Sequence, residues 1–522
     1  MRDFHQPGRS TVYADQGMCA TSHPLAAQTA ISILQQGGNA VDAAIGAAIL
    51  LGLCEPQSTG IGGDMFALVA QPDGENLGLN ASGRAPAGLN ADAIRANHDT
   101  MPLYDISAIT VPGAIDGFCR LHGDHGQLPL DQVLAPSIHY AEAGIPIAPR
   151  VAMDYATSGH LLQGAGRRHY LQDDAPLPIG ARFKAPGQAE VLRRIAEQGR
   201  AGFYEGEVLD DMLASLQAHG GTHTAEDFAN TKCDYVTPLR SGYRDAELIE
   251  LPPNGQGATA MLILNILETM TPQDDPFGPQ RAHLEAEATK LGYDARDRFL
   301  ADPDHVTRLD HMLSKQTAAD LAALIDPNAA MPDPRAASDN VHKDTVYLTV
   351  VDKDRRAVSL IYSIFHSFGS GMASDRFGIL FQNRGGGFTL EAGHANEAGP
   401  GKRPMHTIIP GMLKLADGSL MPFGVMGGAY QSTGHARFVS NLVDYGMDPQ
   451  AAIDGPRAFA EAGALKIERG YGDDTRDDLA AKGHTLTTPD TPIGGAQAIR
   501  IRPDGVLEGG SDPRKDGIAL GY

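Results

Sequence analysis

Residues 345–371 read TVYLTVVDKDRRAVSLIYSIFHSFGSG, and they follow the segment 326–344, DPNAAMPDPRAASDNVHKD. The earlier segment carries three prolines, many charges and little apolar content, which predicts an exposed, mobile linker. The later one is two β-rich runs around a charged turn, which predicts a hairpin. A strand-rich third of the chain thus begins abruptly at Thr345. Further strands are expected in GILFQN (378–383), TIIPGMLKL (407–415), MPFGVMG (421–427) and LKIERG (465–470). Upstream, residues 110–330 are mostly helical in period. Near the start, Leu25–Gln36 has helical spacing, and Asn39 caps a second helix, AVDAAIGAAILLGL. The turn STGIGGD (58–64) then leads into the strand-like MFALVA. Helices before the linker and strands after it each need a partner layer to bury their apolar faces, so the chain reads as one α/β unit.

Composition narrows the function. Across 522 residues there are 64 acidic against 42 basic side chains, a formal net charge of −22, which disfavours nucleic acid and anionic membranes as partners. The longest apolar run, Ala40–Cys54, is interrupted by Asp42 and is too short to span a bilayer. The opening residues lack an apolar signal region, so a cytoplasmic protein is expected. Cys19, Cys54, Cys119 and Cys233 are scattered and read as free thiols. HGDHG (122–126) reads as a solvated turn, and GGAYQSTGH (427–435) lacks the phosphate-gripping lysine of a nucleotide loop. Neither a metal nor a cofactor is expected.

Thr345 carries the chemistry. Cleavage of the Asp344–Thr345 bond would give it a free α-amine beside its own hydroxyl. With a reference pKa near 8, that amine can take the hydroxyl proton and make a nucleophile from one residue.

Six further stretches fall in register with this one: QQGGNAVDAAIGAAILLGLCEPQSTGIGGDMF (35–66), ASGRAPA (81–87), ITVPGAIDGF (109–118), EAEATKLGYDARDRFLADP (285–303), GPGKRPMHTIIP (399–410) and GVMGGAYQSTGH (424–435). Together they resemble the γ-glutamyltransferases, or glutathione hydrolases, over nearly the whole chain. The resemblance implies a four-layer αββα N-terminal-nucleophile hydrolase fold. It also implies self-cleavage into subunits of residues 1–344 and 345–522 that stay together, the first ending in the linker of about 326–344. Thr345 would be the nucleophile and Ser363 the second hydroxyl beside it. Gly427 and Gly428 would be the oxyanion-hole pair, and Arg84 the grip on the substrate carboxylate.

The matching positions of the α-amino pocket differ. An asparagine of the family is Phe365 here, a glutamine is Arg384, an aspartate is Gly387 and a serine pair is His406-Thr407. Losing an anion and adding a cation disfavours an ammonium. FTLEAGHANEAGPGKRP (388–404) is also shorter than the lid loop of many transferases. The expected substrates are γ-glutamyl or related carboxylate-bearing amides, with hydrolysis favoured over transfer. The alternative is a non-γ-glutamyl amide of the oxamate, glutaryl or cephalosporin kind, with Arg84 and Arg384 reading a small acid. An uncleaved ligand-binding pseudoenzyme is the non-enzymatic reading, and a homo-oligomer is left open.

Overall fold

The computed structural model describes residue 5 and residues 8–332 and 345–522; Asp344 and the rest of 333–344 lie outside the described residues. Two seven-stranded sheets form the centre. The first runs in the order Ile518–Gly521, Met18–Thr21, Val346–Val351, Ala357–Ser363, Asp64–Ala70, Asn76–Ala81, Asp234–Val236. The second runs Val12–Ala14, Leu507–Ser511, Gly495–Ile501, Leu420–Met426, Gly411–Lys414, Ala246–Glu250, Leu239–Tyr243.

Three apolar cores separate four layers. Val346, Leu348 and Val350 face the helices Pro24–Gln35 and Ala40–Cys54, while Tyr347 and Val351 face the other sheet. This is the two-residue alternation of a strand with both faces covered. Between the sheets, Phe66, Ile361 and Tyr347 meet Ile249, Met412 and Ile499. Beyond the second sheet, Phe423 and Val425 pack with the helices Gly257–Glu268 and Gln431–Val443 through Met261, Leu264 and Val439. The architecture is therefore the αββα sandwich. The segment 326–344 does not divide it into separate bodies, since strands from both sides of that segment share each sheet.

The hairpin register decides the site. Val346 pairs with Tyr362 and Val351 with Ala357. One step further, Thr345 falls opposite Ser363, on the inter-sheet side of the alternation. Helix Ala40–Cys54 starts in a capping box formed by Asn39 and Asp42, and all of its residues are buried. At its far end the STGIGGD turn lies tight against the hairpin. A Cβ on Gly63 would stand 2.4 Å from the Ser363 carbonyl oxygen, so only glycine fits there.

Three sequence expectations change. GILFQN is not a strand; apart from an isolated bridge between Ala373 and Leu380, it runs as irregular chain beside the STGIGGD turn, with the Gln382 N–H donating to the Gly62 carbonyl. Its apolar content reflects burial rather than pairing. HGDHG is mostly the last turn of the helix Ala114–His125, where His122 bonds the Leu128 carbonyl instead of facing solvent as a loop. The start of the expected linker, residues 326–331, is tied down. His283 Nε2 bonds the Asp326 carbonyl, Ala330 N–H donates to the Lys482 carbonyl, and Met331 N–H donates to Glu287. His283, Glu287 and His484 lie close enough to hold a metal ion, but each is engaged in this clasp: His283 Nδ1 with His484 Nε2 at 2.8 Å, and Glu287 with Lys290. Among the described residues, no helix is long and apolar enough to cross a membrane.

Candidate active site

Thr345 is 1% exposed, and its Oγ1 lies 3.2 Å from Ser363 Oγ. The Ser363 oxygen also accepts from the Phe365 N–H at 2.9 Å and from Arg384 Nη2 at 3.2 Å. Either hydroxyl can donate across the Thr345–Ser363 contact.

Arg384 is fully buried. It donates to Thr407 Oγ1 at 3.0 Å as well as to Ser363, and its guanidinium lies 4.2 Å from the centroid of the Phe365 ring. Burial lowers its pKa to about 9, against the opposing pull of Asp64. Asp64, the last residue of STGIGGD, is fully buried too. It accepts from the N–H groups of Gly83 and Gly113, from Gln382 Nε2 and, at 3.2 Å, from His406 Nε2. His406 Nδ1 in turn accepts from the Ile408 N–H. One ring nitrogen donating and the other accepting define a neutral imidazole, and burial, with the nearby Arg384, pushes its pKa down to about 3.

Opposite Thr345 the strand Leu420–Met426 ends in Gly427 and Gly428, whose φ values are +118° and +55°. Neither backbone N–H donates to a protein acceptor among the described residues. Gln256 Nε2 holds the wall from behind, donating to the carbonyls of Gly428 at 3.0 Å and Thr407 at 2.7 Å, and its Oε1 accepts from Arg296. Thr345 and Gly427 open onto a small cleft of about 90 Å³, with Tyr430, Phe459, Ile493 and Gly494 on its walls.

The structure therefore brings Thr345, Ser363, Gly427 and Gly428 together. Phe365, Arg384, His406 and Thr407 gather as well, but as a buried network behind Thr345; none of them lines the cleft. Arg84 is elsewhere: its guanidinium donates to Asp302 at 3.2 Å and to the Gly401 carbonyl at 3.0 Å. Arg84 uses one guanidinium nitrogen on these acceptors and keeps 34% of its side chain exposed, whereas the buried Arg384 donates to Ser363 and Thr407 inside the protein. Asp64 and Gln256 were missed as site residues. Asp64 closes a motif that was legible as a tight turn, whereas Gln256 carries no local signal.

Glu55 lies in the same region, at the end of the helix Ala40–Cys54, with Ser22 Oγ donating to its carboxyl. Burial raises its pKa from 4.5 to about 7, with Lys515 as the main opposing charge. A raised carboxyl pKa means that the folded protein holds this proton more tightly than the unfolded chain. The stabilisation is complete below pH 4.5 and is lost as pH rises through about 7. Relative to Glu55→Gln, the wild-type protein should lose on the order of 3 kcal/mol across that window. Thermal unfolding of both proteins at pH 5 and pH 7.5 checks this; a constant difference between them would contradict it.

The family model for gamma-glutamyltranspeptidase matches residues 26–522. The chain belongs to the γ-glutamyltranspeptidase family. Within that family it is similar to the glutathione hydrolase-like YwrD proenzyme of Bacillus subtilis, with 35% identity over 98% of this chain and 99% of that protein. It is 32% identical to the oxamate amidohydrolase proenzyme of Klebsiella pneumoniae, over 98% of this chain and 100% of that one. Among solved structures, cephalosporin acylase from Bacillus halodurans superposes with a TM-score of 0.92 at 36% identity, covering 100% of this chain and 99% of that one. Family membership makes this chain an enzyme of the γ-glutamyltransferase or glutathione hydrolase type and agrees with the N-terminal-nucleophile sandwich.

Proposed function

We propose that the chain is a proenzyme that cuts its own Asp344–Thr345 bond and then works as a threonine amidohydrolase on carboxylate-bearing amides. The observation that carries this reading is Thr345 Oγ1 at 3.2 Å from Ser363 Oγ, in a cleft shared with Gly427. In the mature protein the Thr345 hydroxyl attacks the amide carbonyl carbon and its proton passes to the Thr345 α-amine. The oxyanion is held by the N–H groups of Gly427 and Gly428. Collapse breaks the C–N bond, and the amine leaves with the proton. Water then attacks the ester, releasing the acid and restoring the hydroxyl.

Hydrolysis is favoured over transfer by the short 388–404 loop. A substrate without a free α-amine is favoured by the cation Arg384 and the ring of Phe365 at the positions where the family places ammonium acceptors. Names among the relatives, an oxamate amidohydrolase and a cephalosporin acylase, are in keeping with that second feature.

Denaturing electrophoresis of purified wild-type protein is expected to give two polypeptides, of 344 and 178 residues, the smaller beginning TVYLTV. The same preparation should hydrolyse at least one amide among glutathione, glutaryl anilides and oxamate. A single intact chain that binds such compounds without turnover would sink the proposal in favour of a ligand-binding protein.

A further inference from the structure

A second cluster of ligating side chains lies in the clasp at residues 326–331. Helix Pro279–Phe299 carries His283 and Glu287, four positions apart and therefore on one face. His484 reaches them from the turn that follows helix Asp473–Ala481, where Gly483 takes a φ of +96°. One ligand atom from each residue lies within 4.8 Å of the other two, and the residues are 0%, 0% and 7% exposed. None of the three lines the cleft beside Thr345.

The hydrogen bonds of the clasp orient these three groups as ligands without exhausting them. The Asp326 carbonyl can only accept, so His283 Nε2 carries a proton. In the neutral ring Nδ1 then holds a lone pair, turned toward His484 Nε2 at 2.8 Å. A ring N–H held by a backbone carbonyl is the usual support of a metal-bound histidine, because it fixes both the tautomer and the ring plane. Glu287 is braced in the same way. Lys290 Nζ donates to its Oε1 at 2.7 Å and the Met331 N–H to its Oε2 at 2.8 Å. A carboxylate offers about four acceptor positions, so acceptor capacity remains on Glu287. His484 has only to carry its proton on Nδ1 for Nε2 to become a ligand, and no net proton is lost.

Two imidazoles and a carboxylate suit a zinc-class divalent ion rather than Mg²⁺ or Ca²⁺, which take oxygen ligands. Zinc–nitrogen bonds of about 2.0–2.1 Å in a tetrahedron set two ligand nitrogens about 3.3 Å apart. The facing rings, now at 2.8 Å, would part by about half an ångström. Lys290 opposes the ion. Its ammonium stays beside Glu287, held also by the Met331 carbonyl at 2.7 Å, which sets the expected affinity in the micromolar range rather than that of closed structural zinc sites. We propose that His283 Nδ1, Glu287 and His484 Nε2 bind one zinc-class divalent ion, with water completing its coordination. The ion fastens helix Pro279–Phe299 and the stretch 326–331 to the C-terminal third of the chain. If the Asp344–Thr345 bond is cut, the ion joins the two polypeptides, since His283 and Glu287 belong to the first and His484 to the second. Binding itself does not depend on that cut.

The test titrates Zn²⁺ by calorimetry into full-length wild-type protein stripped with a chelator, and into His484→Gln and Glu287→Gln treated alike. Wild type is expected to take up one Zn²⁺ per 522-residue chain, cleaved or not, with a micromolar Kd. Each variant should weaken that binding by about tenfold to a hundredfold. Zn²⁺ at a hundredfold excess over Kd should raise the wild-type melting temperature by about 2 °C and leave that of His484→Gln unchanged. Anomalous scattering at the zinc edge from a wild-type crystal soaked in Zn²⁺ locates the ion without any variant, and so decides the matter even if a variant fails to fold. A peak between His283, Glu287 and His484 supports the proposal. Zinc found only on surface histidines overturns it, as does no uptake by wild type or affinity that survives both substitutions. Cleavage and amide turnover are scored separately on the same wild-type preparation, so failure of the amidohydrolase reading is distinguishable from failure of the metal site.

Discussion

Thr345→Ala is expected to accumulate as one 55.2 kDa chain with no detectable amide hydrolysis, whereas Thr345→Ser should still split and turn over. The reason is that one hydroxyl serves both reactions. In the precursor it attacks the carbonyl of Asp344, and in the mature protein the same oxygen attacks the substrate. Alanine removes that oxygen without disturbing the strand, because Val346–Val351 is held by pairing on both sides, with Met18–Thr21 and Ala357–Ser363. Loss of a nucleophile of this kind lowers kcat by on the order of 10⁴- to 10⁶-fold. Electrophoresis, mass spectrometry of the fragments and an amide assay measure the outcome. Correct splitting of Thr345→Ala at this bond, or wild-type turnover without splitting, would show that Thr345 is not the nucleophile.

The second large effect is at Gly427. Its φ of +118° is strained for any residue with a Cβ, and that Cβ would stand 2.9 Å from Gly494 Cα. Gly427→Ala must therefore shift the turn that aims the two N–H groups at the reacting carbonyl. Displacing such donors typically lowers kcat by about 10²–10³-fold. Because self-cleavage passes through the same kind of oxyanion, splitting of the precursor should slow in parallel with hydrolysis. Time courses of fragment appearance and of amide turnover, on protein whose circular dichroism matches wild type, give the two rates. A variant slow in one reaction and unaffected in the other would mean that Gly427 serves only the slowed one.

Much of the scaffold was legible because its signals are local. The alternation in TVYLTVVD and AVSLIYSIF, with a charged turn between them, specifies the hairpin, and its register alone brings Thr345 opposite Ser363. The capping pair Asn39 and Asp42 likewise marks the start of its helix. GILFQN failed as a strand because an apolar run reports burial, and its backbone is instead bound to Gly62, Ser370 and Met372. HGDHG failed as a loop because the preceding helix simply continues through it.

Side-chain partners were not legible, since they come from distant parts of the chain. Arg384 looked like a substrate grip, yet it meets Ser363, Thr407 and Phe365 inside the protein, with Asp64 from the first sheet as its counter-charge. Arg84 is claimed by Asp302, more than two hundred positions along the chain. The sequence by itself determined one α/β unit and the hairpin that starts at Thr345, because periodicity acts between near neighbours, while the layered sandwich and Ser363 came through the family resemblance. Which charges are spent inside the fold was decided only by the tertiary structure, because charge pairing is settled by long-range contacts that no local pattern encodes.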